Sequence, residues 1–449
     1  MTIVELTHLL AGQKISSRQL VEQSLAAIKD PQGEGSRTFL LVHEKEALTE
    51  ADRIDTQRRS GVKLPVLAGI PISIKDLFDE AGVMTLGGST ALVGTPPATR
   101  DSTVVERLKK AGAIISGRTN LTEFAFSGLG VNPHYGTPRN AFDRGASRIP
   151  GGSSSGAAVS VTDGMAAGAI GTDTGGSVRI PAALNGLVGF KPTARRVSRD
   201  GVLPLSFSLD SVGPIAKSVA DCALLDEVLS LETNPALKPA RLNSLRFAVP
   251  KTVFQDDLSP DVARAFSTAL IRLSAAGATI VDLPMAEFAQ AASVNPRGII
   301  SSVEAFTWHR QLLKDKADKY DPRVLFRIRP GETVLAADYI EVLQAREKFI
   351  RTINAAAAGY DAMLMPTTPD TAPTIAEVTK DDESYFRFNS RMLRNPSIVN
   401  LFDGCALSIP CHEPGTAPVG LMIAGIQNND RKILSIGLAV EEIIWKRSH

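Results

Sequence analysis

Cysteine, aromatic side chains and an excess of charge of either sign are all scarce in this chain of 449 residues. The three cysteines, Cys222, Cys405 and Cys411, are odd in number and too few for a disulfide framework, which indicates a reducing compartment. With 49 lysines and arginines against 48 aspartates and glutamates, the formal net charge is +1. The chain therefore has no global basic excess that could hold a nucleic-acid backbone.

Long apolar runs are missing as well. No stretch of roughly 18 or more apolar residues occurs, so the sequence predicts no membrane-spanning helix. The N-terminal segment MTIVELTHLLAGQK has neither a basic start nor a long apolar core. It therefore predicts a first helix rather than a secretory signal, and we expect a cytoplasmic protein without membrane or nucleic-acid partners.

Helix and strand patterns alternate along the chain. In the first 60 residues, Ser16 and Gln19 form the pattern of a capping box before a helix, and a second helix is expected near Glu44 to Arg59. The segment VLAGIPISIKDLF, residues 66–78, alternates as a strand does. Asp101 is predicted to cap the next helix, which Gly112 ends before the strand AIISG.

The same order recurs in the second half. A helix from Ser259 to Ala276 precedes the strand TIVDLP, and the strands ALSIP and VGLMIAG precede a helix from Asp430 to Trp445. This alternation predicts an α/β fold with a mixed or parallel sheet covered by helices.

Two segments have the composition of linkers, Leu231 to Ser244 and Thr367 to Ser384, but neither is long enough to separate independent domains. We therefore expect one domain over residues 1–449. Its predicted parts are the N-terminal helices over 1–60, a core with the catalytic residues over 61–230, and a second half over 231–449 with helical elaboration around 300–360.

Glycine and serine concentrate in one segment. Ten of the 36 glycines and five serines lie between residues 151 and 190. A phosphate loop is disfavoured there, because neither GxxxxGK[ST] nor a GxGxxG between a strand and a helix occurs. A serine nucleophile needs a base, and the six histidines have no nucleophile-elbow context, while GxSxG is absent.

Lysine is the remaining base, and Lys75 is the first charged residue in a stretch of a dozen. An ordinary lysine titrates near 10.4, so a base that works at neutral pH needs its pKa lowered by about three units, or about 4 kcal/mol. Burial beside Ile72, Ile74 and Leu77 is expected to supply much of that. The alternative interpretation is a solvated lysine next to Asp76 at the end of a strand.

Four motifs together resemble the amidase signature family. They are GIPISIKD with Lys75, PGGSSSG with Ser153, GTDTGGSVRIPA with Ser177, and GLVGFKPT after them. The spacing of 24 residues between the two serines is also similar to that family. The resemblance extends from about Val66 to the C-terminus, and it implies the amidase-signature fold, a central mixed β-sheet with helices on both faces.

The resemblance implies a Ser-Ser-Lys relay. Ser177 would attack the amide carbonyl, Ser153 would pass the proton on, and neutral Lys75 would accept it and return it to the leaving ammonia or amine. A cis peptide is implied between Gly152 and Ser153, and no metal or organic cofactor is needed. The implied oxyanion hole consists of the backbone N–H groups of Thr174, Gly175, Gly176 and Ser177.

Neighbouring residues receive structural interpretations. Asp173 and Arg179 flank the nucleophile and are expected to pair across its turn. Ser154 either hydrogen-bonds the relay or is a small structural serine. Cys405 and Cys411 fall in a predicted buried strand and are interpreted as core residues.

The substrate pocket has only candidates. Phe124, Phe126 and Tyr135 are candidates for an apolar wall, joined by Phe306 and Trp308 from the helical block, with core packing as the alternative for each. Arg327 is a candidate for holding a substrate carboxylate, and a surface ion pair is its alternative interpretation.

Within the family, a free-standing amidase acting on a small-molecule amide is favoured. The alternative is the glutaminase (A) subunit of an aminoacyl-tRNA amidotransferase; Met422, where a glutamine is expected in that protein, and the short chain argue against it. A catalytically idle binding protein is disfavoured because all three relay residues are present. Homodimers are frequent among enzymes of this family, so the resemblance implies a homodimer.

Overall fold

A computed structural model describes residues 1–232 and 236–444 of the chain. The strands, numbered in chain order, are β1 Phe39–Val42, β2 Pro71–Lys75, β3 Ile114–Thr119, β4 Gly168–Asp173, β5 Val188–Lys191, β6 Ser211–Ala216, β7 Arg246–Pro250, β8 Thr279–Leu283, β9 Ala362–Pro366, β10 Cys405–Pro410 and β11 Gly420–Gly425.

The α-helices surround these strands. In chain order they are α1 Ile3–Ala11, α2 Ser17–Lys29, α3 Gly35–Thr38, α4 Glu44–Arg59, α5 Thr103–Lys110, α6 Ser155–Thr162, α7 Arg179–Leu184, α8 Val219–Ser230, α9 Pro260–Ala275, α10 Ala291–Val294, α11 Ile299–His309, α12 Leu312–Lys316, α13 Pro322–Ile328, α14 Ala336–Ala356, α15 Ile375–Thr379, α16 Asp382–Leu401 and α17 Asp430–Ile444. Short 3-10 turns connect several of them, at Thr90–Leu92, Glu123–Ala125, Arg144–Ala146, Leu242–Ser244, Ala286–Gln290, Pro296–Gly298, Ala317–Lys319 and Arg329–Glu332.

The described strands form one 11-stranded sheet in the order β1-β3-β2-β4-β6-β5-β10-β11-β9-β7-β8. Parallel pairs join β2 to β3 and to β4, and join β7 to β8 and to β9. The remaining pairs are antiparallel. The sheet is therefore mixed, and the predicted α/β class is confirmed.

Two hydrophobic cores lie on opposite faces of this sheet. Along β9, Ala362 and Leu364 pack in one core, whereas Met363 and Met365 pack in the other, as the twofold alternation of a strand requires. The first core is completed by residues of α8, α9 and α17, and the second by residues of α14 and α16. Both faces are therefore covered by helices.

Local signals define most helix ends. The predicted capping box at Ser16 and Gln19 is present. The predicted cap at Asp101 is wrong by one residue, because the Ser102 side chain accepts the Val105 N–H while Asp101 accepts the Ala81 N–H instead.

Several predicted boundaries also differ. The strand predicted within residues 66–78 is limited to Pro71–Lys75, and the N-terminal region includes the strand β1, which pairs with β3. The linker-like segment Thr367 to Ser384 contains α15 and the start of α16. The other linker-like segment, Leu231 to Ser244, includes residues 233–235, and the last predicted helix ends at Trp445; these four residues lie outside the described part of the chain.

The catalytic candidates lie where parallel strands end. Lys75 is the last residue of β2 and Asp173 is the last residue of β4, its parallel neighbour. Ser153 precedes α6 and Ser177 precedes α7, so both serines lie close to helix N-termini. Over the described ranges, no helix is both long and apolar enough to cross a bilayer.

Candidate active site

The Lys75 amino group lies inside the protein, within hydrogen-bonding distance of two hydroxyl groups. Its Nζ is 2.7 Å from Ser153 Oγ and 2.8 Å from Thr172 Oγ1, and the Lys75 side chain is fully buried. The alternative of a solvated lysine is therefore wrong. The neighbouring Asp76 does not pair with it; its carboxylate instead accepts a hydrogen bond from Arg118 Nε at 2.6 Å.

Burial lowers the pKa of Lys75 to about 7, and the carboxylates of Asp210 and Asp173 oppose this shift. The lysine can therefore be neutral near neutral pH, and a neutral amine can accept a proton from the hydroxyl that it contacts. The sequence led us to expect that burial beside Ile72, Ile74 and Leu77 supplies much of this lowering, and all three side chains are buried.

The backbone around Ser153 fixes its hydroxyl against Lys75. The Gly152–Ser153 peptide is cis, as the family resemblance implied. The Ser153 carbonyl accepts the Thr122 N–H at 3.2 Å, and the Ser154 N–H donates to the Ser177 carbonyl at 3.3 Å. The Ser154 hydroxyl donates to the Thr172 carbonyl at 3.4 Å, which favours its structural interpretation.

A buried ion pair shapes the turn that carries Ser177. The Asp173 carboxylate accepts hydrogen bonds from Arg179 Nε at 3.0 Å and Nη2 at 2.9 Å, and neither side chain is exposed. The same carboxylate accepts the N–H groups of Gly176 and Val178. Arg179 therefore holds the pKa of Asp173 well below its usual range, and the expected pairing across the turn is present.

Three backbone N–H groups remain available on this turn. Those of Thr174, Gly175 and Ser177 have no acceptor among the described residues, whereas the Gly176 N–H donates to Asp173 at 2.8 Å. Gly176 is therefore not available as an oxyanion donor in this geometry, which corrects the four-donor expectation. Its role is steric: it has a φ of +126°, and a Cβ there would lie 2.6 Å from Pro396 Cγ.

A cavity of about 390 Å³ opens beside this turn, and Ser177, Thr174 and Gly175 line it. Its size suits a small organic molecule. The other walls are mostly apolar, with side chains from several helices and loops, among them Leu205, Leu209, Val253, Phe288, Leu393 and Ile398.

Two of the four predicted pocket residues lie in this cavity. Phe126 and Arg327 line it, and no ion pair of Arg327 occurs among the described residues, which excludes its alternative interpretation as a surface ion pair. Phe124 does not line it, because its ring packs against His309 at 4.5 Å and Tyr320 at 5.1 Å between centroids.

Tyr135 also lies elsewhere. Its hydroxyl donates to the Ser89 carbonyl at 3.4 Å, away from the cavity lining. Phe306 and Trp308 belong with Phe124 to the hydrophobic cluster between α11 and α13, so core packing is the outcome for these residues.

Sequence reasoning missed three residues of the site. Thr172 contacts Lys75, Asp210 acts on its charge, and Arg394 lines the cavity. Thr172 had a signal, since it lies within the motif GTDTGGS. Asp210 and Arg394 are brought in by strands and helices far along the chain.

Among the described residues, neither a reactive cysteine nor a metal-binding cluster lies at this site. The three cysteines are free and buried, and burial raises the pKa of the Cys411 thiol to about 12. Within the described residues, no group of three or more His, Cys, Asp or Glu side chains is placed to hold a metal ion.

Comparisons with known proteins give four similarities. The family described as Amidase matches residues 19–434. A 2-amino-5-chloromuconic acid deaminase of Comamonas testosteroni is 37% identical over 406 residues, 89% of this chain and 86% of the relative. The A subunit of the glutamyl-tRNA(Gln) amidotransferase of Symbiobacterium thermophilum is 34% identical over 479 residues, 99% of this chain and 96% of the relative. The crystal structure of an amidase matches with a TM-score of 0.89 at 33% identity, covering 99% of this chain and 100% of the other.

Proposed function

Because this chain belongs to the amidase family, whose members act on carbon-nitrogen amide bonds, we propose that it hydrolyses the carboxamide of a small-molecule amide to a carboxylate and ammonia or an amine. The observation that carries the proposal is the buried contact of 2.7 Å between Lys75 Nζ and Ser153 Oγ, next to a cavity that Ser177 lines.

In the proposed mechanism, Ser177 Oγ attacks the carbonyl carbon and loses its proton to Ser153, whose own proton passes to neutral Lys75. The C–O bond to Ser177 forms while the carbonyl π bond opens to an oxyanion. The N–H groups of Thr174, Gly175 and Ser177 are the donors free to stabilise this negative charge.

The tetrahedral intermediate then collapses. The C–N bond breaks, and the proton stored on Lys75 returns through Ser153 to the leaving nitrogen, which leaves an acyl group on Ser177. Water attacks this ester, gives its proton to the same relay, and releases the carboxylate together with the restored Ser177 hydroxyl. Thr172 positions Lys75 throughout, because its hydroxyl contacts the second side of Nζ.

A second candidate function is that of the glutaminase component of an aminoacyl-tRNA amidotransferase, favoured by the similarity to the Symbiobacterium protein. Two observations count against it. Met422 Sδ, not a glutamine side chain, lies 3.2 Å from Arg179 Nη1, and the cavity lining contains no carboxylate that could hold the ammonium group of glutamine.

One experiment separates the two candidates. The purified chain alone is incubated with aryl, alkyl and dicarboxylic acid amides and with glutamine, and released ammonia is measured. Turnover of a non-glutamine amide without partners supports the free-standing amidase. Turnover of glutamine but of no other amide, or activity only when partner proteins are added, supports the glutaminase.

A cytoplasmic location and a homodimer are further parts of this proposal. The free, buried state of the three cysteines is compatible with a reducing compartment. Cell fractionation tests the location, and light scattering coupled to size exclusion tests the dimer.

A further inference from the structure

All charged side chains that line the cavity beside Ser177 are cationic. Among the residues that line it, Arg327 and Arg394 are cationic and none is aspartate or glutamate. Arginines in apolar surroundings are normally paired with carboxylates, because the desolvation of a cation is costly. Whether these two arginines are paired with carboxylates of the protein therefore indicates the charge of the substrate.

Arg327 enters the cavity from α13. Its Nη1 donates to the Phe126 carbonyl at 2.9 Å, and its guanidinium carbon lies 5.4 Å from the centre of the Phe126 ring. No aspartate or glutamate of the described chain forms an ion pair with it. The backbone and the aromatic face orient the guanidinium, and its remaining N–H groups keep their capacity to bind an anion.

Arg394 enters from α16, a different helix. Its Nε donates to Asn395 Oδ1 at 3.1 Å, whereas its Nη2 is buried and has no hydrogen-bond partner among the described residues. Arg391, one turn earlier on the same helix, is instead paired with Asp257 and Asp370. Arg394 therefore brings a positive charge to the cavity wall that no carboxylate of the described chain neutralises through an ion pair.

The two guanidinium groups are separate points of attachment. Arg327 extends from α13 and is oriented by the Phe126 carbonyl and ring, whereas Arg394 extends from α16 and is oriented by Asn395 Oδ1. One guanidinium can bind one carboxylate through two N–H groups, so two separately oriented arginines can hold two carboxylates.

Resting on the amidase function proposed above, we propose that the substrate is an amide with two carboxylates, one bound by Arg327 and the other by Arg394, while its carboxamide lies at Ser177. The cavity volume of about 390 Å³ accommodates such a small polyacid monoamide. The absence of an acidic residue from the lining also disfavours amides that carry an ammonium group.

The test uses three amides of similar size that differ in charge: butyramide, glutaramic acid and a monoamide of propane-1,2,3-tricarboxylic acid. We expect kcat/KM to rise by about 10- to 100-fold with each added carboxylate, because a charge-assisted hydrogen bond contributes that much. Equal kcat/KM for the neutral and the doubly charged amide would overturn the proposal and leave the amidase function standing.

Variants separate one anion site from two. Arg394→Met and Arg327→Met should each lower kcat/KM for the doubly charged amide to about the level of a singly charged one, and the double variant should be indifferent to charge. Arg391→Met is the control on α16 and should keep the wild-type charge preference. If each single variant lowers kcat/KM for glutaramic acid and kcat/KM for the doubly charged amide by the same factor, the arginines share one carboxylate and the proposal fails.

A binding measurement makes the outcome independent of turnover. Titration calorimetry of Ser177→Ala with glutarate and butyrate should give tighter binding of glutarate, and Arg394→Met in that background should abolish the difference. If Ser177→Ala binds glutarate preferentially while the folded wild type hydrolyses no amide, the proposed function alone is refuted. Equal binding of glutarate and butyrate would refute the two-anion site alone.

Discussion

Lys75 Nζ and Ser153 Oγ lie 2.7 Å apart, and both side chains are fully buried. The two residues are 78 positions apart in the chain. Lys75 ends β2, whereas Ser153 lies just before α6, and its carbonyl accepts the N–H of Thr122, which follows β3, the parallel neighbour of β2. A lysine enclosed in this way loses most of its hydration, and burial lowers its pKa to about 7. The tertiary structure therefore brings the base and its hydroxyl partner together.

Ser177→Ala should abolish amide hydrolysis, by roughly 10⁴-fold or more, because the acyl-enzyme cannot form without the nucleophile. Circular dichroism and the melting temperature should stay at wild-type values. Ser230→Ala is the control, since its hydroxyl donates to the Asp226 carbonyl, accepts the Glu232 N–H and does not line the cavity. A fluorophosphonate should label Ser177 in the wild type, and peptide mapping to a different residue would contradict the nucleophile assignment.

Activity should depend on the protonation of Lys75. Below a pKa of about 7 the lysine is charged and cannot accept a proton, so kcat/KM should fall about tenfold per pH unit on the acid side. Lys75→Met and Lys75→Arg should both lose about 10³-fold, since neither supplies a neutral amine. A pH-rate profile that is flat from pH 5 to 9 would rule out a lysine base as the group that limits the reaction.

The same lysine should make stability depend on pH. The folded pKa of about 7 lies below the ordinary value, so between pH 7 and 10 the unfolded chain binds the additional proton. Raising the pH through this window should therefore stabilise the wild type relative to Lys75→Met, by about 1.4 kcal/mol per unit. Urea denaturation of both proteins at pH 7, 8 and 9 gives the difference, and a constant difference would mean that Lys75 is charged in the fold.

Removing the arginine of the buried pair should destabilise the protein. Arg179→Met leaves the Asp173 carboxylate without its cation in an environment that excludes water, which should cost about 3–5 kcal/mol in the free energy of unfolding. Arg264→Met removes the same side chain from an exposed pair with Asp261 and should change stability by less than about 1 kcal/mol. Similar effects of the two substitutions would show that the Asp173 pair is solvated.

The two phenylalanines predicted for the pocket should behave differently. Phe124→Ala empties a site between His309 and Tyr320 and should lower stability by about 3–5 kcal/mol. Phe126→Ala also changes the cavity wall and removes the aromatic face under Arg327, so it should raise KM for a carboxylated amide more than Phe124→Ala does. Kinetics with glutaramic acid and urea denaturation of both variants measure the two effects. The reverse order of KM values would place Phe124 at the substrate.

The sequence by itself determined the structural elements and motifs that depend on short stretches of the chain. Alternation in GIPISIKD predicted the strand that ends at Lys75, the capping pattern at Ser16 predicted α2, and the motifs around Ser153 and Ser177 indicated the amidase family and named the relay residues. These features depend on residues close together in the chain, where periodicity, capping and short motifs have direct physical consequences.

Only the tertiary structure decided which side chains face the cavity. Phe124 and Phe126 are two residues apart, yet the positive φ angles of Phe124 and Ala125 break the local periodicity, and the first ring joins a core while the second borders the cavity. Arg394 and Arg391 share one helix, yet only Arg391 meets carboxylates, which come from elements far along the chain. Burial and charge pairing are sums over distant segments, so no local pattern contains them.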